Sequence, residues 1–441
     1  MQLPIDTFEL ANGLRVTLSE DHTAPIVAVN LWYHVGSAHE RLDRTGFAHL
    51  FEHMLFQGSA HVAANEHFEL IQRAGGTLNG STWLERTNYY ETVPSNQLEL
   101  VLWLEADRMA RLVPAMTQEK LDTQRDVVKN ERRWSVDNQP YGTWWERLPA
   151  LTFPADHPFH HSLMGSMEHL SAATLDDVAE FFRTYYTPDN AVLSIVGDVD
   201  SVEARRLVAT HFGDIPRGSG RPPLGTMTVP PTFGEWKRDV VADAVMVPRI
   251  YLAMRSPILG SDDYYPASVA GAILGMGRGS RLHRGLVREQ QLASSVSAYT
   301  FDLAKGSDLL IVEATARPGI TGDQLEAAVA AALDEMYERG VGAEEVARAV
   351  ALITSELVTS LQSAQSRADK LSQFATFFGD PSLVNRQVEL FEGVTASEVS
   401  RLARERLGRD NRASLLYVPR EAPDPVEEGG AVPAAQPEDG R

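Results

Sequence analysis

Two histidines and a carboxylate stand close together in His49-Leu50-Phe51-Glu52-His53. On a helix, residues four apart project from one face, so His49 and His53 can bring two imidazoles to one zinc ion. Glu52 can lie beside that ion without ligating it and act as general base on the water it activates. The neighbours Phe47, Leu50, Phe51, Met54 and Leu55 are apolar. A polar triad in such a setting is costly to bury unless it works, although two purely structural histidines are the alternative reading. Zinc on two histidines asks for a third protein ligand and leaves a position for water. The segment 118–134, with its QRDVVKNERR core, is the best supplier. Glu131 is the first candidate there, and Glu119, Asp122 and Asp126 are the acidic alternatives on the same helix.

These side chains need elements to hold them. Thr45 is the expected N-cap of the motif helix and Gly58 its terminator. Apolar periodicity predicts further helices over 96–112, 118–134, 325–338 and 343–359, with Ser95 and Thr117 as caps of the first two. Strands are expected at 14–19, 26–35, 250–254 and 308–316. Strands interspersed with long helices give an α+β class, each domain a sheet packed with helices.

The chain divides near its middle, where Arg217 to Pro231 read RGSGRPPLGTMTVPP. Such Gly and Pro density marks a linker. The flanking parts look related. Text from Thr174, TLDDVAEFFRTYYTPDNAVLSIVGD, matches text from Thr395, TASEVSRLARERLGRDNRASLLYVP, at a constant offset of 221 residues. Both predict an amphipathic helix, an Asp-Asn turn and an apolar strand. The expected organisation is a zinc-binding domain at 1–216, a linker at 217–231, a homologous domain at 232–420 and a disordered acidic tail at 421–441.

Composition removes several alternatives. With no cysteine among 441 residues, thiolate catalysis, Cys-based zinc sites and disulfide-stapled folds are excluded. A formal charge of -20 disfavours nucleic acid as a general partner. No apolar run approaches the length of a membrane span. The opening Met1-Gln2-Leu3-Pro4-Ile5-Asp6 lacks a signal-peptide pattern. The expectation is a soluble protein, cytoplasmic as written and periplasmic if a signal peptide was removed.

His49-Leu50-Phe51-Glu52-His53 has the form of the inverted zinc-peptidase motif. Its setting resembles the pitrilysin-type (M16) family, which includes insulysin and the mitochondrial processing peptidases. The matching segments are GFAHLFEHMLFQGS, AGGTLNGSTWLERTNYYETVP, QRDVVKNERR and RGSRLHRGLVREQQLASSVSAY, in that order. The resemblance runs from about Phe8 to Pro419, and the length is similar to the short bacterial branch. It implies a zinc metalloendopeptidase (EC 3.4.24 type). His49, His53 and Glu131 match the metal ligands, Glu52 the general base, and Asn79 a residue near the substrate backbone. It also implies two similar domains per chain and a clamshell of two chains around short or unfolded peptides.

Two positions depart from the family pattern. A supporting glutamate is expected seven residues before the ligand glutamate, and Gln124 stands there. A substrate-reaching arginine is expected seven residues before a tyrosine; Arg288 matches the first, while Ser295 takes the place of the second and Tyr299 is out of register. This favours a heterodimer in which this chain bears the zinc and a homologous subunit supplies the Arg/Tyr pair. A homodimer and a non-catalytic or weakly catalytic partner subunit are the alternatives, as is a structural metal protein. The glycine-rich Gly275 to Ser280 stretch lacks the ending of a phosphate loop and predicts a tight turn before a helix over 280–289.

Overall fold

The computed structural model describes residues 2–220, 224–225 and 227–420. The predicted acidic tail lies outside them, as does part of the predicted linker. Among the described residues, strands assemble into two sheets. The first holds β1 (Asp6–Glu9), β2 (Arg15–Glu20), β3 (Ile26–Tyr33), β4 (Thr77–Thr82), β5 (Thr87–Pro94) and β6 (Ala191–Gly197), in the order β1-β2-β6-β3-β5-β4. The second holds β7 (Glu235–Asp243), β8 (Arg249–Ser256), β9 (Ala293–Thr300), β10 (Asp308–Ala316) and β11 (Asn411–Pro419), in the order β7-β11-β8-β10-β9. The pairs β2–β6 and β7–β11 are parallel and every other pair is antiparallel. With β1 set aside, the two sheets have one topology. The chain is thus two α+β domains of sheet plus helices.

The match extends to side chains. Asn190 Nδ2 donates to Tyr185 O at 2.8 Å, and Asn411 Nδ2 donates to Arg406 O at 2.7 Å. Thr174 and Thr395, at the same offset, each cap the preceding-helix equivalents Leu175–Tyr185 and Ala396–Arg406 through a capping box. The duplicated text therefore does the same work twice.

Each sheet buries both faces, and each borrows a helix to do so. On the first sheet, Val29, Leu31, Leu193 and Ile195 face the helices of the same half. Ala28 and Val196, on the opposite face, pack against Ala368, Leu371 and Phe374. Those three belong to the helix Ala364–Phe378, which lies beyond β10 in sequence. Asp369 Oδ1 on that helix accepts from Trp32 Nε1 at 2.9 Å, and Arg15 Nη1 donates to Ala375 O at 2.6 Å. The second sheet receives the helix Trp144–Thr152 in return. Trp144 stacks on Tyr251 with ring centroids 4.6 Å apart and planes 4° from parallel.

Several sequence expectations need correction. Thr117 caps its helix, accepting from Lys120 N at 3.3 Å. Ser95 does not; it donates to Asp198 Oδ2 at 2.9 Å, a stronger acceptor, and the helix starts at Leu98. The helix expected over 118–134 ends at Arg132 and runs into a wider π turn, Arg133–Asp137. The helix expected over 280–289 is present over 281–289, wound as a π-helix at His283–Glu289, and the tight turn before it is present with Gly277 at φ +72°. Strands β1, β4, β5, β7 and β9 lie outside the expected set; β4 (TLNGST) is written in turn residues and β9 (ASSVSAYT) is rich in serine, so neither shows an apolar alternation. Among the described residues no helix is long and apolar enough to cross a membrane.

Candidate metal centre

The motif helix, Phe47–Met54, is amphipathic over only two turns. Phe47, Leu50, Phe51 and Met54 recur at helical spacing and are buried. Phe51 packs against Phe181 and Tyr186, with ring centroids at 5.2 and 5.1 Å. That anchored face turns His49, Glu52 and His53 the other way. Thr45 is not the N-cap. Gly46 holds that position at φ 90°, and Thr45 is engaged by His169 instead, its hydroxyl 2.9 Å from His169 Nδ1.

The helix Gln118–Arg132, which carries Glu131, packs across it with Leu121, Gln124 and Val128 buried. Glu131 continues that stripe. Its Oε2 lies 3.2 Å from His53 Nε2 and 3.8 Å from His49 Nε2. One donor atom from each residue falls within 4.8 Å of the other two. The alternatives stay outside the cluster: Glu119 and Asp126 are exposed, and Asp122 pairs with Arg125. Gln124 is buried on the same stripe, with no charge to offer.

Electrostatics suit a cation. Burial, and then the neighbouring His53, push the His49 imidazole down to about 4, so it is neutral with a free lone pair at ordinary pH. Its hydrogen bond with His53 is the main influence holding the Glu131 carboxyl below the usual range. Two imidazoles and one carboxylate form a donor set that zinc accepts, so the residues present fit the ion. Glu52 sits next to this cluster, with Oε2 accepting from Thr82 Oγ1 at 2.6 Å. Burial pushes its carboxyl above the ordinary value, against the pull of that hydroxyl.

Strand β4 supplies the space around Glu52. Gly80 and Thr82 share a face, as residues two apart on a strand must. A Cβ at Gly80 would lie 3.1 Å from Glu52 Cγ and 3.3 Å from its Oε1. Sequence reasoning missed both residues, although their alternation with exposed Asn79 was there to be read. Asn79 Oδ1 accepts from its neighbour's amide, Gly80 N, at 2.9 Å. β4 pairs with β5 and is the last strand of its sheet. Arg288 lies in the other half, exposed on the π turn before β9, outside the cluster. Ser295 is exposed on β9 opposite Thr315. Tyr299 is half-buried beside Phe301, their ring centroids 6.4 Å apart.

A second histidine–carboxylate group shows what a metal centre is not. His67 Nε2 lies 3.3 Å from Glu91 Oε1 and 4.0 Å from Glu105 Oε1. This group is wholly buried and contains its own cation. Arg108 pairs with Glu105, lies 3.7 Å from Glu91 Oε1 and stacks over Tyr89 at 4.1 Å. The guanidinium occupies the role an ion would take. Burial, and then Arg108, push His67 down to about 3, and burial pushes Glu105 up to about 8.

Residues 15–164 match the family model described as Insulinase (Peptidase family M16), and residues 172–353 match Peptidase M16 inactive domain. The chain is 26% identical to the zinc protease PqqE of Helicobacter pylori over 415 residues, covering 94% of this chain and 92% of that protein. It is 29% identical to an uncharacterised zinc protease of Mycobacterium leprae over 412 residues, covering 92% and 90%. The crystal structure of a protease from Helicobacter pylori aligns with a TM-score of 0.88 at 25% identity, covering 95% of this chain and all of that one. At family level, then, the chain belongs with the M16 (insulinase) zinc metallopeptidases.

Proposed function

We propose that this chain is a zinc endopeptidase that hydrolyses peptide bonds in short or unfolded peptides. The observation that carries this reading is the convergence of His49, His53 and Glu131 beside Glu52. His49, His53 and Glu131 hold the metal. Zinc, when bound, supplies Lewis-acid polarisation of a carbonyl and lowers the pKa of water. Glu52 accepts the proton of the attacking water and returns it to the leaving amine, and no covalent intermediate is needed. Thr82 fixes the carboxylate so that the same oxygen faces the reaction throughout.

Substrate binding follows from the edge position of β4. An extended peptide adds beside it as a further strand through main-chain hydrogen bonds, which tolerate many sequences. Asn79 then lies beside that peptide's backbone. The two homologous domains are bounded at 1–216 and 232–420, joined by the linker 217–231. Arg288 is the candidate to meet substrate from the second domain, but it stands without the tyrosine that would complete the pair. Ser295 has no phenol to offer there, and Tyr299 is committed to Phe301. A homologous partner chain therefore supplies the Arg/Tyr pair, and this chain is the zinc-bearing subunit of a heterodimer.

The test is metal analysis and peptide cleavage with the wild-type chain and Glu52→Gln, alone and mixed with a homologous subunit from the same source. Bound zinc with cleavage that Glu52→Gln abolishes supports the reading. Cleavage by the mixture that survives Glu52→Gln assigns catalysis to the partner and overturns it.

A further inference from the structure

We propose that Glu40 is a positioning residue for the metal centre, tethering the first turn of the motif helix from the loop that precedes it; this rests on the zinc-peptidase reading above. The helix begins with a defect. Its N-cap is Gly46, which has no side chain to satisfy the orphan amides of the first turn. Glycine is required there by its φ of +90° and by crowding: a Cβ would lie 2.7 Å from Met164 O and 3.0 Å from Gly165 Cα. The capping acceptor has to come from elsewhere.

Glu40 provides it with both oxygens. Oε2 accepts from Gly46 N at 2.8 Å and Oε1 accepts from Ala48 N at 2.7 Å, with the Phe47 amide adding a further bond. The Glu40 side chain is fully enclosed, and His161 Nδ1 stands 3.7 Å from Oε2. A carboxyl buried so completely is expensive unless its lone pairs are used, and here they are used on one helix end. Burial pushes the group up to about 8 against those amides. The tether is one of acceptor geometry: each oxygen keeps a lone pair for its amide even when one of the two carries the proton.

The consequence is specific to the metal site. A helix of eight residues is marginal by itself, so its first turn fixes the phase of everything after it. The Ala48 amide held by Glu40 is adjacent to His49. Glu52 and His53 follow within the next turn. A carboxamide at position 40 would turn an N–H toward one of the backbone N–H groups, donor against donor, and release that end of the tether.

The experiment is zinc affinity by chelator competition, together with the visible spectrum of the Co2+-substituted chain. Glu40→Gln is expected to raise the zinc dissociation constant about tenfold or more and to shift the Co2+ bands, with Glu40→Asp, which keeps both acceptors, falling between. Thr395→Ala, which removes a cap in the second half whose hydroxyl accepts from Glu398 N at 3.3 Å, is expected to leave both readouts unchanged. Unchanged zinc affinity and Co2+ spectrum in folded Glu40→Gln would overturn the assignment. So would equal weakening by Thr395→Ala. If Glu40→Gln does not fold, Glu40→Asp with wild-type zinc affinity and spectrum overturns it. A wild-type chain that binds no zinc defeats the zinc reading instead. In that case amide exchange at residues 46–48 decides the tether: faster in Glu40→Gln keeps it, equal rates dismiss it.

Discussion

The two halves share a topology, yet among the described residues the candidate metal cluster His49, His53 and Glu131 belongs to the first alone. In the first, the motif helix Phe47–Met54 contacts the helix Gln118–Arg132. In the second, the corresponding helices are Tyr264–Gly275 and Ala343–Ser360, and they also contact each other. The text YYPASVAGAILG in place of FAHLFEHM offers no imidazole or carboxylate. Both halves lay this helix against the last strand of their sheet, and both need a glycine to do it. In the first half the glycine is on the strand, Gly80, and the space it leaves holds the Glu52 carboxylate. In the second it is on the helix, Gly275, where a Cβ would meet Ala298 N at 2.1 Å. Moving the glycine from helix to strand converts a packing contact into room for a functional group.

That comparison breaks most severely at the ligands. His53→Ala is expected to lose bound zinc and all peptide cleavage, while Glu356→Gln, at the position of the helix Ala343–Ser360 that matches Glu131 in Gln118–Arg132, keeps the zinc content of wild type; elemental analysis of both checks it. Glu52→Gln should retain zinc and lose turnover by about 10²–10⁴-fold, read as kcat on a quenched peptide. Gly80→Ala is milder, because the added methyl presses on Glu52 without removing it; about a tenfold fall in kcat at unchanged zinc content is expected. Gly275→Ala should leave chemistry alone and cost about 1–3 kcal/mol in urea unfolding, since the obstruction is backbone. The smallest effect concerns how the halves are held together. Asp21 Oδ2 meets Arg367 Nη2 at 2.6 Å, and hydrogen bonds from Thr23 and then Arg367 bring its carboxyl down to about 2. A depressed carboxyl stabilises the fold above its unfolded pKa and loses that contribution as pH falls through its folded one. Asp21→Asn should therefore cost about 1 kcal/mol at neutral pH, and the difference from wild type should vanish as pH falls from about 4 to 2.

How much of this was legible in the text depended on distance along the chain. His49, Glu52 and His53 were legible because helical spacing is local and the apolar positions around them fix which face is free. Spacing leaves Glu131 first among four acids and only the family resemblance picks it out, since a candidate ligand on another helix is selected by packing. The stripe Leu121, Gln124, Val128 decides it, and only when the facing helix is known. Glu40 was invisible for the same reason: a cap supplied from outside the helix has no fixed spacing. The edge strands hid behind turn residues because their backbone pairing, with no apolar alternation, defines them. The duplication was visible where it repeats sequence, from Thr174 and Thr395, and silent around the metal helix, where the halves have diverged.

The exchange of helices between the two sheets sets an order of events during synthesis. The strands of the first sheet are complete when residue 197 has been made, but the cluster that holds Ala28 and Val196 draws most of its other buried residues from the helix that ends at Phe378. A nascent chain must carry that sheet face bare while roughly 180 further residues emerge, which at about 5–20 residues per second is some tens of seconds or less. The borrowed helix Trp144–Thr152 has the opposite history, being made before the sheet it covers. A ribosome paused between the two would display an apolar sheet surface and an unclaimed tryptophan-rich helix together, the state in which chaperone capture or aggregation compete with folding.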